Sequence, residues 1–342
     1  MNPFLPLQLL TTVILLTALS PVLPAEEPGW LPVQEDGFLL PQMLPQVLPY
    51  PGNALSLGQS PRADKAELWQ TRLWATPYGN WEHRLANADS AGFQADTFGV
   101  MAGFQRRWNK YLTWGWGAGG SWISANGDGH SGGKSIDGFK TAFDAALEVT
   151  DWRLLAVAGY GHNSQAIRRH DDFGRFGGDN NADQWGVKTE LQLKLGAGLF
   201  EMEPFAGLDY LAFSERGYTE HRIRGTGQPR SFGKFSENSF ASTLGVRYRW
   251  RQTGQFAVWR PELSAAWFHE YGSDRVFRSS QLDPFPTLYT FPAGRQSRDR
   301  LLVSAGIVGH LGSTMDVFVR YAADIAGDDT SHAVLCGTHW KF

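Results

Sequence analysis

Three places in this 342-residue chain bring together side chains that could move a proton or hold an ion. His170-Asp171-Asp172 precedes Asp179 and Asp183 in a polar stretch. Imidazole and carboxylate at the rim of a β-structure can act as acid and base on water, which makes a rim hydrolase one reading. A solvated polar loop is the plainer one. His269-Glu270 ends an apolar alternating run, where a structural hydrogen bond accounts for the pair better than catalysis does. Gly127-Asp128-Gly129 has the turn residues of a calcium loop but a single carboxylate, and calcium takes about six to eight oxygens. Cys336 is the only cysteine, so neither an internal disulfide nor a thiolate cluster can form. Phosphate loops, zinc spacings and nucleophile elbows are missing. The residues therefore point to no metal, no cofactor and no enzyme.

The elements carrying these residues alternate with a period of two. Phe139, Thr141, Phe143, Ala145, Leu147 and Val149 interleave with Lys140, Asp144 and Glu148. Trp185, Val187, Leu191 and Leu195 interleave with Lys188, Glu190 and Lys194, and Leu244, Val246, Tyr248 and Trp250 with Arg247, Arg249 and Arg251. Lysine, arginine and glutamate cannot be buried without partners, so the charged phase predicts a wet face. Alternation of this kind predicts twelve strands, over 69–83, 93–108, 111–124, 135–149, 152–168, 182–195, 199–215, 237–251, 255–271, 298–311, 315–325 and 330–342. Tight turns at 109–110, 150–151, 196–198, 252–254 and 312–314 alternate with long loops near 84–92, 125–134, 169–181, 216–236 and 272–297. Trp108, Tyr111, Trp114, Trp152, Phe200, Trp250, Phe256, Trp340 and Phe342 gather at the tight-turn end.

Short turns at one end, long loops at the other and an aromatic girdle fit an all-β, up-and-down antiparallel transmembrane barrel. Its charged phase then faces the lumen and its apolar phase the lipid, with Cys336 on the lipid side. A soluble sandwich or barrel with the faces inverted is the alternative. The net charge of −3 gives no electrostatic case for nucleic acid.

Ahead of the barrel, residues 1–25 read as a secretory signal peptide, with an apolar run from Leu9 to Leu19. Residues 26–68 are proline-rich, which excludes a regular core. Ser60 as N-cap and Pro61 in the first turn predict a short helix over 61–68.

Several stretches between Trp69 and Phe342 resemble the C-terminal translocator domain of autotransporters, the type V secretion family. Leu73-Trp74-Ala75 and Gly79 are similar to its aromatic-glycine opening. Ala91-Gly92-Phe93-Gln94-Ala95-Asp96-Thr97-Phe98-Gly99 is similar to its following hairpin. Gly115 to Gly120 looks like its glycine-rich third strand, and Pro261 to Glu270 like a late strand ending Trp-x-His-Glu. The alternating last strand, ending on Trp340 and Phe342, resembles the signal handed to the outer-membrane barrel assembly machinery.

The resemblance implies a monomeric 12-stranded barrel in outer-membrane lipid, with a helix threading the lumen toward an exported passenger. Family members carry passengers of hundreds of residues; here 26–68 holds no β-helix repeat and the junction no Asn-Asn pair. The expected role is anchoring or exporting a very short N-terminal passenger. A passive pore or purely structural barrel is the second expectation. Gly99, Gly103, Gly115, Gly117, Gly119, Gly186 and Gly245 fall on the lumen phase, where they either leave room for a helix or water or ease barrel curvature.

Overall fold

The computed structural model describes residues 71–85, 92–127, 132–171, 173–196, 199–254, 258–272, 275–282, 288–295, 297–311, 314–327 and 329–342. Side chains are described for all of these except 171, 275–280, 282 and 288–295. The expected signal peptide, the proline-rich segment with its helix over 61–68, Asp128 and Phe256 lie outside the described residues.

Alternation of polar and apolar residues gives each strand one face for each environment, and the chain pairs accordingly. The wall consists of β1 (Thr71–Arg84), β2 (Phe93–Arg107), β3 (Leu112–Gly127), β4 (Gly132–Val149), β5 (Trp152–Asp171), β6 (Gly174–Leu193), β7 (Phe200–Glu215), β8 (Phe235–Trp250), β9 (Val258–Glu270), β10 (Asp299–Leu311), β11 (Met315–Ala326) and β12 (Asp329–Lys341). Each pairs antiparallel with its successor. β12 returns to β1, with Leu73 opposite Trp340 and Arg84 opposite Asp329. The twelve strands therefore close into a barrel, which leaves the wall without an edge of unpaired backbone groups. The seam has one irregularity. Its register omits Thr76 and Pro77, because proline has no N–H to give to a ladder.

The turns at one end are tight for local reasons. Asn109 Oδ1 accepts the N–H groups of Tyr111 and Leu112 at 2.8 Å each, an Asx turn between β2 and β3. Thr150 adopts φ 52° to turn β4 into β5. Gln252 and Thr253 were expected within a turn; they pair with Trp259 and Val258, which carries the β8–β9 hairpin further.

At the other end the expected long loops are largely strand. β5 runs to Asp171 and β6 begins at Gly174, so 169–181 is the top of a protruding hairpin. β3 and β4 likewise reduce 125–134 to a connection over 128–131. The stretch 216–236 contains three short strands, and 272–297 contains the hairpin Arg275–Leu282 with Leu288–Arg295. Leu288–Arg295, Arg275–Leu282, Arg230–Phe232 and Tyr218–Thr219 pair side by side in a separate four-stranded sheet. Above a membrane both faces of a strand are wet, so the apolar signal fades while backbone pairing persists.

The outward face carries the apolar phase. Leu147, Leu154, Val187, Leu191, Leu244, Leu263, Ile307 and Val319 all stand exposed. Among the described residues no helix is long and apolar enough to cross a membrane. Two aromatic belts bound this surface. Trp108, Tyr111, Trp152, Phe200, Trp340 and Phe342 form the belt at the tight turns. The other, not anticipated from the sequence, contains Trp81, Phe98, Trp122, Phe139, Tyr160, Trp185, Phe240, Trp267 and Tyr321. Phe98 stacks on Trp122 with centroids 5.9 Å apart, and Trp185 packs tilted against Tyr210 at 5.1 Å. On β5 the step from Trp152 to Tyr160 is eight residues, about 26 Å of strand. At a tilt of about 40° the belts lie about 20 Å apart, close to the ~25 Å apolar band of a membrane barrel.

Candidate functional site

The inward face lines a lumen whose two sides differ. On one side an ion-pair cluster spans β6 to β11. Arg249 on β8 donates to Glu203 on β7 at 2.6 Å and to Glu262 on β9 at 2.7 Å. Arg247, one inward position away, lies 3.6 Å from Glu190, 3.5 Å from Glu203 and 3.8 Å from Glu262. Arg320 on β11 also donates to Glu262. Three guanidiniums thus meet three carboxylates, all buried. Balanced opposite charge is what permits their removal from bulk water. Gln192 Nε2 donates to Glu190 at 2.6 Å and holds that carboxylate in place. Above the cluster Lys188 pairs with Asp209 at 3.5 Å, and a cavity of about 180 Å³ opens beside them against Ala266, Ala322 and Leu335.

The opposite side, β1 to β4, is built from rings laid over glycines. Trp74 and Tyr78 point inward and are almost completely buried. A Cβ on Gly99 would overlap the Tyr78 ring, and one on Gly117 would overlap the indole of Trp74. The space that these glycines free at the wall is therefore taken by the barrel's own rings. Lys140 on β4 is fully buried here, with Nζ 5.9 Å from the centre of the Tyr78 ring. Its neighbour Asp144 accepts a 3.4 Å hydrogen bond from Gln105. Lys140 Nζ, Trp74 Nε1 and Thr76 Oγ1 have no hydrogen-bond partner among the described residues.

Of the charged residues singled out from sequence, Lys140, Asp144, Lys188, Glu190, Arg247 and Arg249 sit inside the wall as just described. Glu148 lies toward the tight-turn mouth, 3.4 Å from Arg153 and 3.9 Å from Arg107. Lys194 and Arg251 fall just beyond the ends of β6 and β8, and Arg251 stands exposed at the rim. Arg153, Glu203, Glu262 and Arg320 belong to the inner face and were not singled out. Their signal was present in the alternation, with Glu262 two positions from Ser264 and one from the outward Leu263.

Among the described residues the candidate acid–base groups are not assembled; Asp172 lies outside them, and the side chain of Asp171 is not described. His170 faces Arg175 across the β5–β6 hairpin, whereas Asp183 faces His162 eight positions lower. Asp183 there accepts from Tyr160 Oη at 2.6 Å and lies 2.7 Å from His162 Nδ1, all on the outward surface. His269 points outward to Asp299 at 2.9 Å. Glu270 points inward, where it accepts the N–H groups of Phe240 at 3.0 Å and Gly272 at 2.8 Å. The two adjacent residues thus serve different faces. Cys336 lies exposed on the outward face. At the end of the chain, Phe342 N donates to Thr71 O at 3.0 Å, which ties the last residue to the start of β1.

The model of the autotransporter beta-domain family matches residues 73–322. The chain belongs to that family. This autotransporter β-domain is an outer-membrane barrel of the type V secretion class, embedded in the membrane as a single-chain barrel. Its fold is similar to the translocator domain of the autotransporter NalP from Neisseria meningitidis. The TM-score is 0.66 at 13% identity, over 86% of this chain and 93% of that one. It is also similar to the β-domain of the Bordetella autotransporter BrkA, with a TM-score of 0.61 at 16% identity over 80% and 99%. Two extracellular serine proteases of Serratia marcescens are related in sequence, at 24% identity over 278 residues and 25% over 289. The matched region covers 79% of this chain and about a quarter, 26%, of each relative. In the outer membrane the tight turns face the periplasm and the protruding hairpins the exterior.

Proposed function

We propose that this β-domain anchors and exports the segment that precedes it, residues 26–68, through its lumen, and that the barrel itself catalyses nothing. The observation that carries the reading is the asymmetry of the lumen. On one wall the guanidiniums and carboxylates neutralise one another, although single atoms such as Arg247 Nη1 and Arg249 Nη2 make no hydrogen bond among the described residues. The other wall presents Lys140 Nζ, an ammonium with no ion-pair partner among the described residues, beside Trp74 Nε1 and Thr76 Oγ1, and all three are buried without hydrogen-bond partners there. An unsatisfied buried polar group costs about 1–3 kcal/mol. A polypeptide in the lumen, rich in carbonyl oxygens and carrying Asp64 and Glu67, supplies acceptors for the first two of these groups. The serine-protease activity named for the Serratia relatives is that of those proteins, about three quarters of whose length lies outside the match. The scattered histidines and carboxylates of the present barrel support a translocator role over a rim hydrolase.

The test uses two readouts. A protease site inserted after Glu27 should be cut in intact cells if the segment reaches the exterior. Single-channel conductance should be low for the full chain and rise on deletion of residues 54–68. A protected site together with equal conductance in both forms would leave a passive or purely structural barrel as the reading.

A further inference from the structure

The β5–β6 hairpin extends the lipid-facing surface of the barrel far above the outer aromatic belt, and its register runs without a shift from Trp152–Leu193 to Asp171–Gly174. The face that presents Tyr160 and Trp185 to lipid is therefore the face that presents Arg168, His170 and Arg175 at the top. The strand His221–Gly225 then pairs with β6 from outside the barrel path and sets Arg224 opposite Arg175. His170, Arg175 and Arg224 thus stand side by side in one row across three strands. His221 lies one row below, close to where a Cβ on Gly177 would be. Arg168, Arg175, His221 and Arg224 are exposed, and none of the five makes an ion pair among the described residues. Of the described carboxylates on this face of the hairpin, Asp179 lies one row below Gly177 and Asp183 two rows further down, beside Tyr160 and His162.

Like charges directly opposite one another on a sheet repel. A protein of net charge −3 has no overall cationic excess to account for such a row. The row lies ten residues beyond Tyr160, about 33 Å of strand. At the tilt of a membrane barrel it stands about 25 Å above the outer belt, on the side that faces the surrounding membrane and away from the pore mouth. We infer that this cationic face binds the phosphate- and carboxylate-bearing saccharide headgroups of outer-leaflet glycolipid. Arginine forks suit such oxyanions. A bound anion converts the repulsion within the row into attraction toward a common partner.

The experiment compares the full chain with a triple variant, Arg168→Gln, Arg175→Gln and Arg224→Gln. Both are extracted from membranes in mild detergent, and rough-type lipopolysaccharide retained per barrel is counted by native mass spectrometry. Heat-modifiable mobility on gels checks that each barrel is folded. Retention should fall at least about tenfold in the variant, and raising salt should lower retention by the unaltered chain in the same direction. Arg106→Gln, at the periplasmic rim, should leave it unchanged, and phosphatidylethanolamine should not be retained by either form. Equal glycolipid retention by variant and parent, insensitive to salt, would overturn the inference. So would unchanged retention with faster proteolysis of residues 26–36 in the variant, which would assign the face to the chain's own acidic stretch around Glu26, Glu27, Glu35 and Asp36.

Discussion

Arg249 and Glu262 meet at 2.7 Å in the lumen, on neighbouring strands β8 and β9, and Glu262 simultaneously takes Arg320 from β11. A single carboxylate thus ties together strands that are not all adjacent in the wall. Glu262→Gln should leave three guanidiniums facing two carboxylates. Breaking one side of a buried ion pair costs about 3–5 kcal/mol. The expected outcome is a clear drop in the temperature at which the barrel loses its compact gel mobility. A change no larger than that of an exposed substitution such as Asp151→Asn would show the cluster to be solvated and energetically slack.

The glycine wall makes a differential prediction. A Cβ on Gly117 overlaps chiefly the indole of Trp74, a side chain that can be removed, whereas one on Gly103 overlaps the backbone of Trp116 and Gly117 as well as that indole. Gly117→Ala and Gly103→Ala should each destabilise by about 1–3 kcal/mol through overpacking. Adding Trp74→Ala should recover most of the loss for Gly117→Ala and a smaller share for Gly103→Ala, whose backbone overlaps remain. A denaturant titration of the folded barrel in lipid would decide it, and equal behaviour of the two pairs would contradict the proposed seating of Trp74.

Arginine on the lipid face should be costly. Leu191 and Leu244 are exposed to lipid, and Leu191→Arg or Leu244→Arg should cost about 2–4 kcal/mol near the midplane. Thr243→Arg should cost much less, because Thr243 points inward, donates to Asp209 at 3.3 Å and borders the lumen cavity. Gln192 faces inward too, yet it is fully buried beside Glu190 and opposite Arg153, so Gln192→Arg should not be benign. Folding yield into lipid vesicles gives the ranking, and a benign Leu244→Arg would invert the faces.

The end of the chain should matter for assembly. Phe342 is 73% exposed at the periplasmic belt, and its N–H closes onto Thr71 O. Deleting Phe342 removes a belt anchor and one hydrogen bond from the seam that Pro77 already interrupts. Phe342→Ser keeps the backbone and removes only the ring. Both changes should lower the amount of heat-modifiable barrel in outer-membrane fractions, the deletion more. An unchanged yield for both would remove Phe342 and Trp340 from consideration as a signal for the assembly machinery.

Outside the membrane, Arg169 on β5 grips Glu220 through two hydrogen bonds of 2.9 Å, and Glu220 also accepts from Arg230 N at 3.0 Å. The bidentate pair fixes the 216–234 connection to the β5–β6 hairpin. Arg169→Ala should speed proteolytic nicking within that connection several-fold while leaving the barrel's thermal mobility shift in place. Loss of the barrel together with the loop would mean that the two fold as one unit.

The strand number, the closed antiparallel order and the division into inward and outward phases are legible in residues such as Leu244 to Trp250. A strand's side-chain period is fixed at two, and lipid and water demand opposite chemistry on its faces. Sequence alone could not tell which groups inside the wall meet. Glu203, Glu262 and Arg320 are separated by 59 and 58 positions and join only when barrel closure and strand stagger set their heights. His170 and Asp183 show the converse, close in the chain but eight rows apart once the hairpin register is set. Nor could the sequence reveal that the glycines of β2 and β3 serve Trp74 and Tyr78, because a glycine records the need for space and not the group that fills it. Local alternation therefore determined the wall, while tertiary closure decided which charges neutralise one another, since that depends on distances between strands which no single segment encodes.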